Sequence, residues 1–388
     1  MGYNVAIHRA PRDSKGGIRL AIPYSRYLIG PIPWYSALIV LGIALCVWLG
    51  KLEEKRKGLP RDVMLDVALV AVPCGIVGAR AYYVLFSLDQ FRNDWLSVLY
   101  IWNGGIAIYG AVIGGGLGVW AYARRKKLSF AALLDIAAPG LLLAQAIGRW
   151  GNYFNMEAYG PLVTDSAWQF FPFAVNIPTD GGWHMATFFY ESLWNALGFA
   201  ALWCLRKRTR RDGDLFLWYL IVYGSGRFLI EGLRTDSLYW GSVRVSQYLS
   251  LALLLISCAL WLLRLARARQ FGALGYGLLA CAGCLIRFFL PLDAAYGWFM
   301  VGMLALLTAC GVPALYPRLG EKGQFTWISL LFMELMVALM ALAFARSDWV
   351  VAFVSILRSV FTPLQLGFVF ALLPQLPTKE ASPCPSES

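Results

Sequence analysis

Apolar residues run along this chain in long stretches that are separated by short polar segments. We count about eleven stretches near the ~20 residues that a helix needs to cross a bilayer. This pattern predicts an all-α fold, a polytopic transmembrane helical bundle. The predicted spans are approximately Trp34–Leu49, Val63–Phe86, Gly104–Ala123, Phe130–Ile147, Thr187–Leu205, Asp214–Leu233, Val243–Leu263, Gly272–Leu292, Ala295–Leu315, Phe325–Ala345 and Trp349–Leu373.

Basic residues concentrate in the segments after the first, third, fifth and seventh predicted spans. An excess of Lys and Arg is typical of cytoplasmic loops. The formal net charge of +12 therefore reflects topology, and nucleic-acid binding is not expected. The loops after the second, fourth and sixth spans then face outward, as does the N-terminal segment, whose own basic residues strain this assignment. The basic loops are Lys51–Arg61, Arg124–Lys127, Arg206–Arg211 and Arg264–Arg269.

The composition agrees with a membrane protein, because 59% of the residues are hydrophobic and only 14% are charged. A soluble chain of 388 residues needs far more polar surface than that. Most cysteines lie in apolar segments, where free cysteine behaves as a small hydrophobe. Cys281 and Cys284 form a C-x-x-C pair, but the flanking residues supply no further ligands. We predict no disulfide framework, no metal site and no cofactor.

Polar residues interrupt the spans much more often before about residue 265 than after it. We therefore divide the chain into an N-terminal segment on the outer face, a seven-span core, an appended module of about four spans and a polar tail. The core carries a long aromatic loop, which we expect to lie on the outer leaflet because aromatic residues favour the interface; an ordinary long loop is the alternative. The boundaries are 1–32, 33–265 with the loop at 149–186, 271–374 and 375–388.

The segment Gly148–Gly160 places an arginine, two asparagines and a glutamate at the end of an apolar span. A charged group in a membrane is costly unless it is paired, so such residues are candidates for function. Arg80, Glu191, Arg227 and Glu231 also lie in or beside apolar spans. Together these residues predict a polar cavity for an anionic lipid head group.

The sixth predicted span carries Arg227, Glu231 and Arg234. Spacings of four and three residues place these side chains on one helix face. Arg227 and Glu231 could pair only for structural reasons, but a guanidinium also offers a planar donor fork that matches phosphate. We favour a phosphate clamp over structural pairing. The predicted clamp consists of Arg149, Arg227, Asn152 and Asn155.

The third predicted span is rich in glycine over Gly104–Gly116. Small residues let membrane helices approach closely; alternatively, they clear space for a lipid and leave Tyr109 in a cavity. From this segment alone the packing interpretation is preferred. His8 and His184 are the two histidines of the chain. We expect His184, beside the aromatic loop, at the membrane interface rather than as a base.

At this point the chain resembles a known family, phosphatidylglycerol–prolipoprotein diacylglyceryl transferase, over about residues 33–263. The family signature GR-x-GN-x-x-N-x-E-x-x-G is met in full from Gly148 to Gly160. Further matches lie in the first, second, fourth, fifth and sixth spans. They are Trp34-Tyr35, Gly78-Ala79-Arg80, Asp135 with Pro139, Thr187–Asn195 and Tyr223–Arg234.

The resemblance implies transfer of a diacylglyceryl group from phosphatidylglycerol to the lipobox cysteine thiol of a prolipoprotein, with release of glycerol phosphate. It implies a multi-pass protein of the bacterial plasma (inner) membrane with its active site toward the outer face, and partners that are phosphatidylglycerol, prolipoprotein signal peptides and the bilayer. The implied catalytic residues are Arg149, Arg227, Tyr109 and Glu157. The implied lipid-binding residues are Tyr35, Arg80, Arg149, Asn152, Asn155, Gly160, Glu191, Arg227, Glu231 and Arg234.

The chain departs from the family pattern at several positions. Many members carry histidine where this chain has Tyr109, Ala111 replaces a usual glycine, and His184 is displaced by one residue with Met185 and Ala186 following it. These differences leave two candidates for the proton acceptor, Tyr109 and Glu157. A non-catalytic lipid-binding or lipid-moving protein is the main rival hypothesis. A secondary transporter is less favoured because the two halves show no internal repeat.

Overall fold

The helices predicted from the apolar stretches are the main elements of the structure. The computed structural model describes residues 26–92, 94–177, 180–207, 211–235 and 243–267, with Thr209, Tyr239–Trp240 and a few positions between 274 and 282. Up to residue 267 these described ranges contain seven α-helices. They are α1 (Trp34–Arg56), α2 (Val63–Phe86), α3 (Ile108–Lys126), α4 (Phe130–Asn155), α5 (Thr187–Leu205), α6 (Asp214–Glu231) and α7 (Val245–Arg267).

Four of these helices, α1, α2, α4 and α7, are long and apolar enough to cross a membrane. α2 exposes large apolar side chains such as Leu69, Val77 and Leu85, as expected for a helix that faces lipid. The other three helices lie where spans were predicted. The four spans predicted between Gly272 and Leu373, and the polar tail after them, lie outside the described residues.

Several helices end on basic residues, where positive charge interacts favourably with the helix dipole. The last turn of α1 contains Lys55 and Arg56, and α3 and α7 end on basic residues in the same way. The Glu54 carboxylate accepts hydrogen bonds from the backbone N–H groups of Asp62 (3.0 Å) and Met64 (2.9 Å), which joins the end of α1 to the start of α2. The Lys51 ammonium, 2.6 Å from Asp62, lowers the pKa of that carboxyl.

The chain divides into two compact units, each described here by itself. The first consists of Met1–Lys126, Pro139–Phe199 and Leu233–Ser237. In it, α2 and α3 pack closely at glycines: a Cβ atom added at Gly114 would lie 3.0 Å from the Cα of Gly78. The interpretation that these glycines serve close helix packing is thus confirmed for this pair.

The first unit also contains short antiparallel hairpins that the all-α prediction did not include. One joins β1 (Tyr27–Ile29) to β2 (Ile32–Pro33), and the other joins β3 (Ala174–Ile177) to β4 (Gly182–Met185). The aromatic loop therefore has structure of its own. Its hairpin packs on the end of α4 and the start of α5 through a buried cluster. The cluster contains Tyr153, Val175, Ile177, Ala186 and Phe188.

The second unit consists of Lys127–Ala138, Ala200–Gly232 and Leu238–Ser388, and the structure describes it as far as α7 and the short hairpin β5 (Tyr239–Trp240) and β6 (Val243–Arg244). The buried Asp135 carboxylate accepts 2.8 Å hydrogen bonds from the N–H groups of Gly213 and Phe216, which satisfies donors at the start of α6. α6 packs on α7, and a Cβ atom at Gly224 would lie 3.2 Å from the Ser250 carbonyl oxygen.

Candidate active site

The signature segment begins as helix rather than loop. α4 continues to Asn155, eight residues (155 − 147) beyond the predicted end of the span. Arg149 and Asn152 are therefore three residues apart on one helix face, and Nη1 of Arg149 donates to Oδ1 of Asn152 over 3.4 Å. The helix extends because its polar side chains bond to each other and to residues that follow, which a hydropathy pattern does not record.

A tight turn follows α4 and brings a carboxylate back onto the helix end. Met156 and Ala158 have φ values of +53° and +57°, a left-handed conformation that costs non-glycine residues about 1–2 kcal/mol each. The turn places Oε1 of Glu157 within 2.9 Å of Nδ2 of Asn152 and 3.2 Å of Nδ2 of Asn155. Both amides donate to this one carboxylate oxygen, so the signature residues form a connected polar network.

Arg149 is held from a second direction by α5. Its Nη2 lies 2.7 Å from Oε1 of Glu191, whose residue is only 2% exposed. Among the described residues, Glu191 and Asn152 engage two of the five guanidinium donors, which leaves three (5 − 2) for another group. The Arg149 side chain is about one-fifth exposed, so these donors are not sealed in the protein interior.

The second predicted arginine makes an equivalent pair in the second unit. Nη2 of Arg227 lies 2.7 Å from Oε2 of Glu231, one turn along α6, and the carboxylate is almost fully buried. The prediction that Arg234 shares this helix face is wrong. α6 ends at Glu231, immediately before Gly232, and glycine is the residue that most often terminates a helix at this position. Arg234 belongs to the first unit.

Arg149 and Arg227 lie in different units, and their joint action on one phosphate stays a prediction. What the structure establishes is that each arginine is oriented by its own buried glutamate. Breaking such a pair by removing one partner leaves an uncompensated charge and typically costs about 3–5 kcal/mol.

The first turn of α1 packs against the end of α4. The Trp34 ring stacks on Phe154 with centroids 4.7 Å apart, and a Cβ atom at Gly151 would lie 3.2 Å from Cε2 of Tyr35. Gly151 thus permits the tyrosine ring to approach the helix that carries Arg149. The predicted lipid contact Tyr35 is 39% exposed and therefore accessible.

Arg80 lies apart from this network and contacts backbone. Its guanidinium donates to the carbonyl oxygens of Val98 (2.7 Å), Ser97 (2.6 Å), Gly104 and Gly105 (both 2.8 Å). Four of its five donors therefore hold the segment between α2 and α3, which contains short 3-10 helices at Trp95–Leu99 and Ile101–Asn103. Its predicted contact with a lipid head group is a separate hypothesis that stays a prediction.

Tyr109 is the second residue of α3, directly after the segment that Arg80 holds. It is half-buried, and its ring centroid lies 6.2 Å from that of Tyr82. Its role as a proton acceptor stays a prediction.

The pattern analysis missed the groups that hold the turn between Ala158 and Gly160. Oγ1 of Thr187 donates to the Ala158 carbonyl (2.5 Å), and Oγ1 of Thr235 donates to the Tyr159 carbonyl (3.0 Å). Nδ1 of His184 lies 3.0 Å from the Gly160 carbonyl. The expectation that His184 is an interface residue is wrong, because it is only 6% exposed and lies in β4. No local pattern marks a side chain that binds a distant carbonyl.

Four membrane-length helices and a buried arginine–carboxylate network at the end of one of them define a multi-pass membrane protein with a buried polar site. Residues 26–263 match the family described as prolipoprotein diacylglyceryl transferase. The chain belongs to this family, which confirms the resemblance found in the sequence, and it is accordingly a transferase of lipoprotein biosynthesis. The remaining 125 residues (388 − 263) follow the matched region.

Individual relatives agree with this family assignment. The chain is 46% identical over 245 residues to the phosphatidylglycerol–prolipoprotein diacylglyceryl transferase of Enterococcus faecalis (strain ATCC 700802 / V583), covering 60% of this chain and 87% of the relative. Proteins of the same name from Listeria monocytogenes serotype 4b (strain CLIP80459) and Streptococcus suis (strain 05ZYH33) are each 44% identical. Those matches cover 60% and 61% of this chain, and 86% and 90% of the relatives, respectively.

Proposed function

We propose that this protein transfers the diacylglyceryl group of phosphatidylglycerol to the thiol of a lipobox cysteine in a prolipoprotein. The thiolate sulfur bonds to the glyceryl carbon, the bond from that carbon to the phosphate oxygen breaks, and glycerol phosphate leaves. The thiol proton passes to an acceptor in the site. The observation that carries the proposal is the network Glu191–Arg149–Asn152–Glu157, formed by the complete family signature and a matching residue of α5.

Arg149 is proposed to bind the phosphate of phosphatidylglycerol and to stabilise the charge that develops on the leaving group. Its three remaining donors are available for oxygen atoms, and the planar guanidinium matches phosphate geometry. Glu191 fixes the orientation of this group before substrate arrives. Preorganised donors aimed at developing charge are usually the largest contribution to catalysis. The same positive charge favours the attacking thiolate, because nearby cations lower the pKa of a thiol.

Arg227 is proposed as the second phosphate ligand, held by Glu231 as Arg149 is held by Glu191. Asn152 and Asn155 would orient the head group, with Tyr35, Glu157 and Gly160 beside it. These roles follow from the motif match. The parallel between the two arginine–glutamate pairs supports treating the arginines as one functional set.

Glu157 is the favoured proton acceptor. Both amide contacts in the structure fall on its Oε1, and among the described residues no partner is recorded for Oε2. A carboxylate oxygen that is open in this way can accept a proton from a thiol placed within hydrogen-bond reach. Tyr109 remains the second candidate.

The protein is proposed to lie in the bacterial plasma membrane, with α1 to α7 as a seven-span core and the signature turn toward the outer face. The basic last turns of α1, α3 and α7 support cytoplasmic placement of those ends. Helix order then places the end of α4, which carries the signature, on the opposite face. Phosphatidylglycerol and prolipoprotein signal peptides would reach the site from there.

The test uses purified protein, phosphatidylglycerol vesicles and a lipobox peptide, with glycerol phosphate release and peptide mass followed together. We expect cysteine-dependent release together with a diacylglyceryl mass gain, and neither product with Arg149→Ala. Lipid binding by folded protein without either product would instead support the non-catalytic hypothesis, which no contact in the described residues favours.

A further inference from the structure

We propose that His184 is a positioning residue of the active site, which holds the Gly160 carbonyl and thereby the turn that presents Glu157. This inference rests on the proposed function, since it assigns His184 a role in the same site. His184 lies in β4, and its ring contacts Tyr159 with centroids 4.7 Å apart. The side chain is buried between the hairpin and the last residues of the signature.

Both ring nitrogens face acceptor atoms. Nδ1 lies 3.0 Å from the Gly160 carbonyl oxygen, and because a carbonyl can only accept, Nδ1 must carry the proton of this bond. Nε2 lies 2.7 Å from Oδ2 of Asp180, an ion-pair distance without the alignment of a hydrogen bond. The Nδ1 contact is therefore the one that fixes the turn, while Asp180, half-exposed, fixes the orientation of the ring.

Gly160 is held at both its amide and its carbonyl by consecutive residues of β4. Its N–H donates to the Met185 carbonyl over 2.9 Å, and its carbonyl accepts from His184. A Cβ atom at Gly160 would lie 2.8 Å from Cβ of Met185 and 3.0 Å from the Leu233 carbonyl oxygen. The glycine allows β4 to approach closely enough for both bonds.

The turn between Asn155 and Gly160 needs such support because Met156 and Ala158 adopt left-handed conformations that ordinary residues avoid. Releasing its far end at Gly160 would let the turn relax. Glu157, midway along it, would then leave Asn152 and Asn155. A displacement of about 1 Å at a catalytic group can cost on the order of 100-fold in rate.

Two amide substitutions separate the two ring nitrogens. In His184→Asn the amide nitrogen is attached to the same carbon as Nδ1, so it can still donate to Gly160. In His184→Gln the amide nitrogen lies farther out, near the position of Nε2, and the Gly160 bond is lost. We expect His184→Asn to keep most of the wild-type kcat, and His184→Gln and His184→Ala to lose on the order of 10- to 100-fold in kcat with a smaller change in KM. Asp180→Asn should cost less than His184→Gln.

A second readout does not depend on activity. Hydrogen exchange of peptides covering residues 156–161 should accelerate in His184→Gln and His184→Ala but not in His184→Asn, with thermal unfolding measured in parallel. Equal kcat and equal exchange in all variants, or His184→Asn as impaired as His184→Gln, would overturn the inference. If wild-type protein forms no product, the proposed function fails, and the exchange comparison still decides the role of His184.

Discussion

The Arg149 guanidinium and the Glu191 carboxylate lie 2.7 Å apart, and the glutamate is almost completely buried. The two residues come from different helices, α4 and α5, so the pair fixes the arginine relative to a neighbouring element. A second glutamate, Glu157, reaches the same arginine indirectly through Asn152. Arg149 is thus oriented from two sides before any lipid binds.

Glu191→Gln is expected to reduce activity strongly, because the neutral amide no longer compensates the Arg149 charge or fixes its direction. Breaking one side of a buried pair typically costs about 3–5 kcal/mol, so thermal stability should fall as well. Glu54→Gln is the matched control. It alters another buried glutamate, which accepts bonds at the start of α2. Kinetics per folded molecule should distinguish the two, and equal kcat losses would contradict the role of Glu191.

Arg149→Lys and Arg227→Lys should each lose about 100- to 1,000-fold in kcat, the effect of removing one preorganised donor set at developing charge. Lysine keeps the positive charge but lacks the planar fork that matches phosphate. Arg124→Lys, at the basic end of α3 over the Trp120 ring, provides a control outside the site. Near-normal turnover of either signature variant in phosphatidylglycerol vesicles would refute the phosphate clamp.

Gly114→Ala is expected to destabilise the α2–α3 pair by about 1–3 kcal/mol, the usual effect of overpacking. The added methyl group would lie 3.0 Å from the Cα of Gly78 and closer still to the Cys74 carbonyl oxygen. Gly116→Ala, two residues along the same helix, meets no atom within 4 Å and should be tolerated. Thermal unfolding in detergent measures both variants, and equal midpoints would contradict the packing role of Gly114.

The helices that the sequence predicted best are those whose entire length is apolar. The bounds of α2 and α5 match their predicted spans, because hydrophobicity continues to both ends. α4 was predicted to stop at Ile147 since polar residues begin there. It continues to Asn155 because those polar groups bond along the helix face and to the turn. Hydropathy therefore locates a span better than it locates the end of a helix.

The residues of the candidate site could be chosen from the sequence, but their partners could not. A charge in an apolar span is recognisable for Arg149 and for Arg80 alike. Only the structure distinguishes Arg149, with donors remaining beside Glu191, from Arg80, which donates to four backbone carbonyls. Backbone carbonyls carry no residue identity, so contacts such as His184 with Gly160 leave no signal in the sequence.

Glu157→Gln and Tyr109→Phe together decide the proton acceptor. Glu157→Gln keeps the size of the side chain but cannot take up a proton, and loss of a general base costs roughly 100- to 10,000-fold in rate. Tyr109→Phe removes only a hydroxyl at the start of α3 and should cost much less. The discriminating measurement is the rate with a lipobox thiol at neutral pH and at a pH above the thiol pKa of ~8.5, where the thiolate forms without a base. Partial recovery of Glu157→Gln at high pH, relative to wild type, is expected. A variant that stays equally impaired at both pH values would show that Glu157 orients Asn152 and Asn155 rather than accepting the proton, and a larger loss in Tyr109→Phe would transfer that role to the tyrosine.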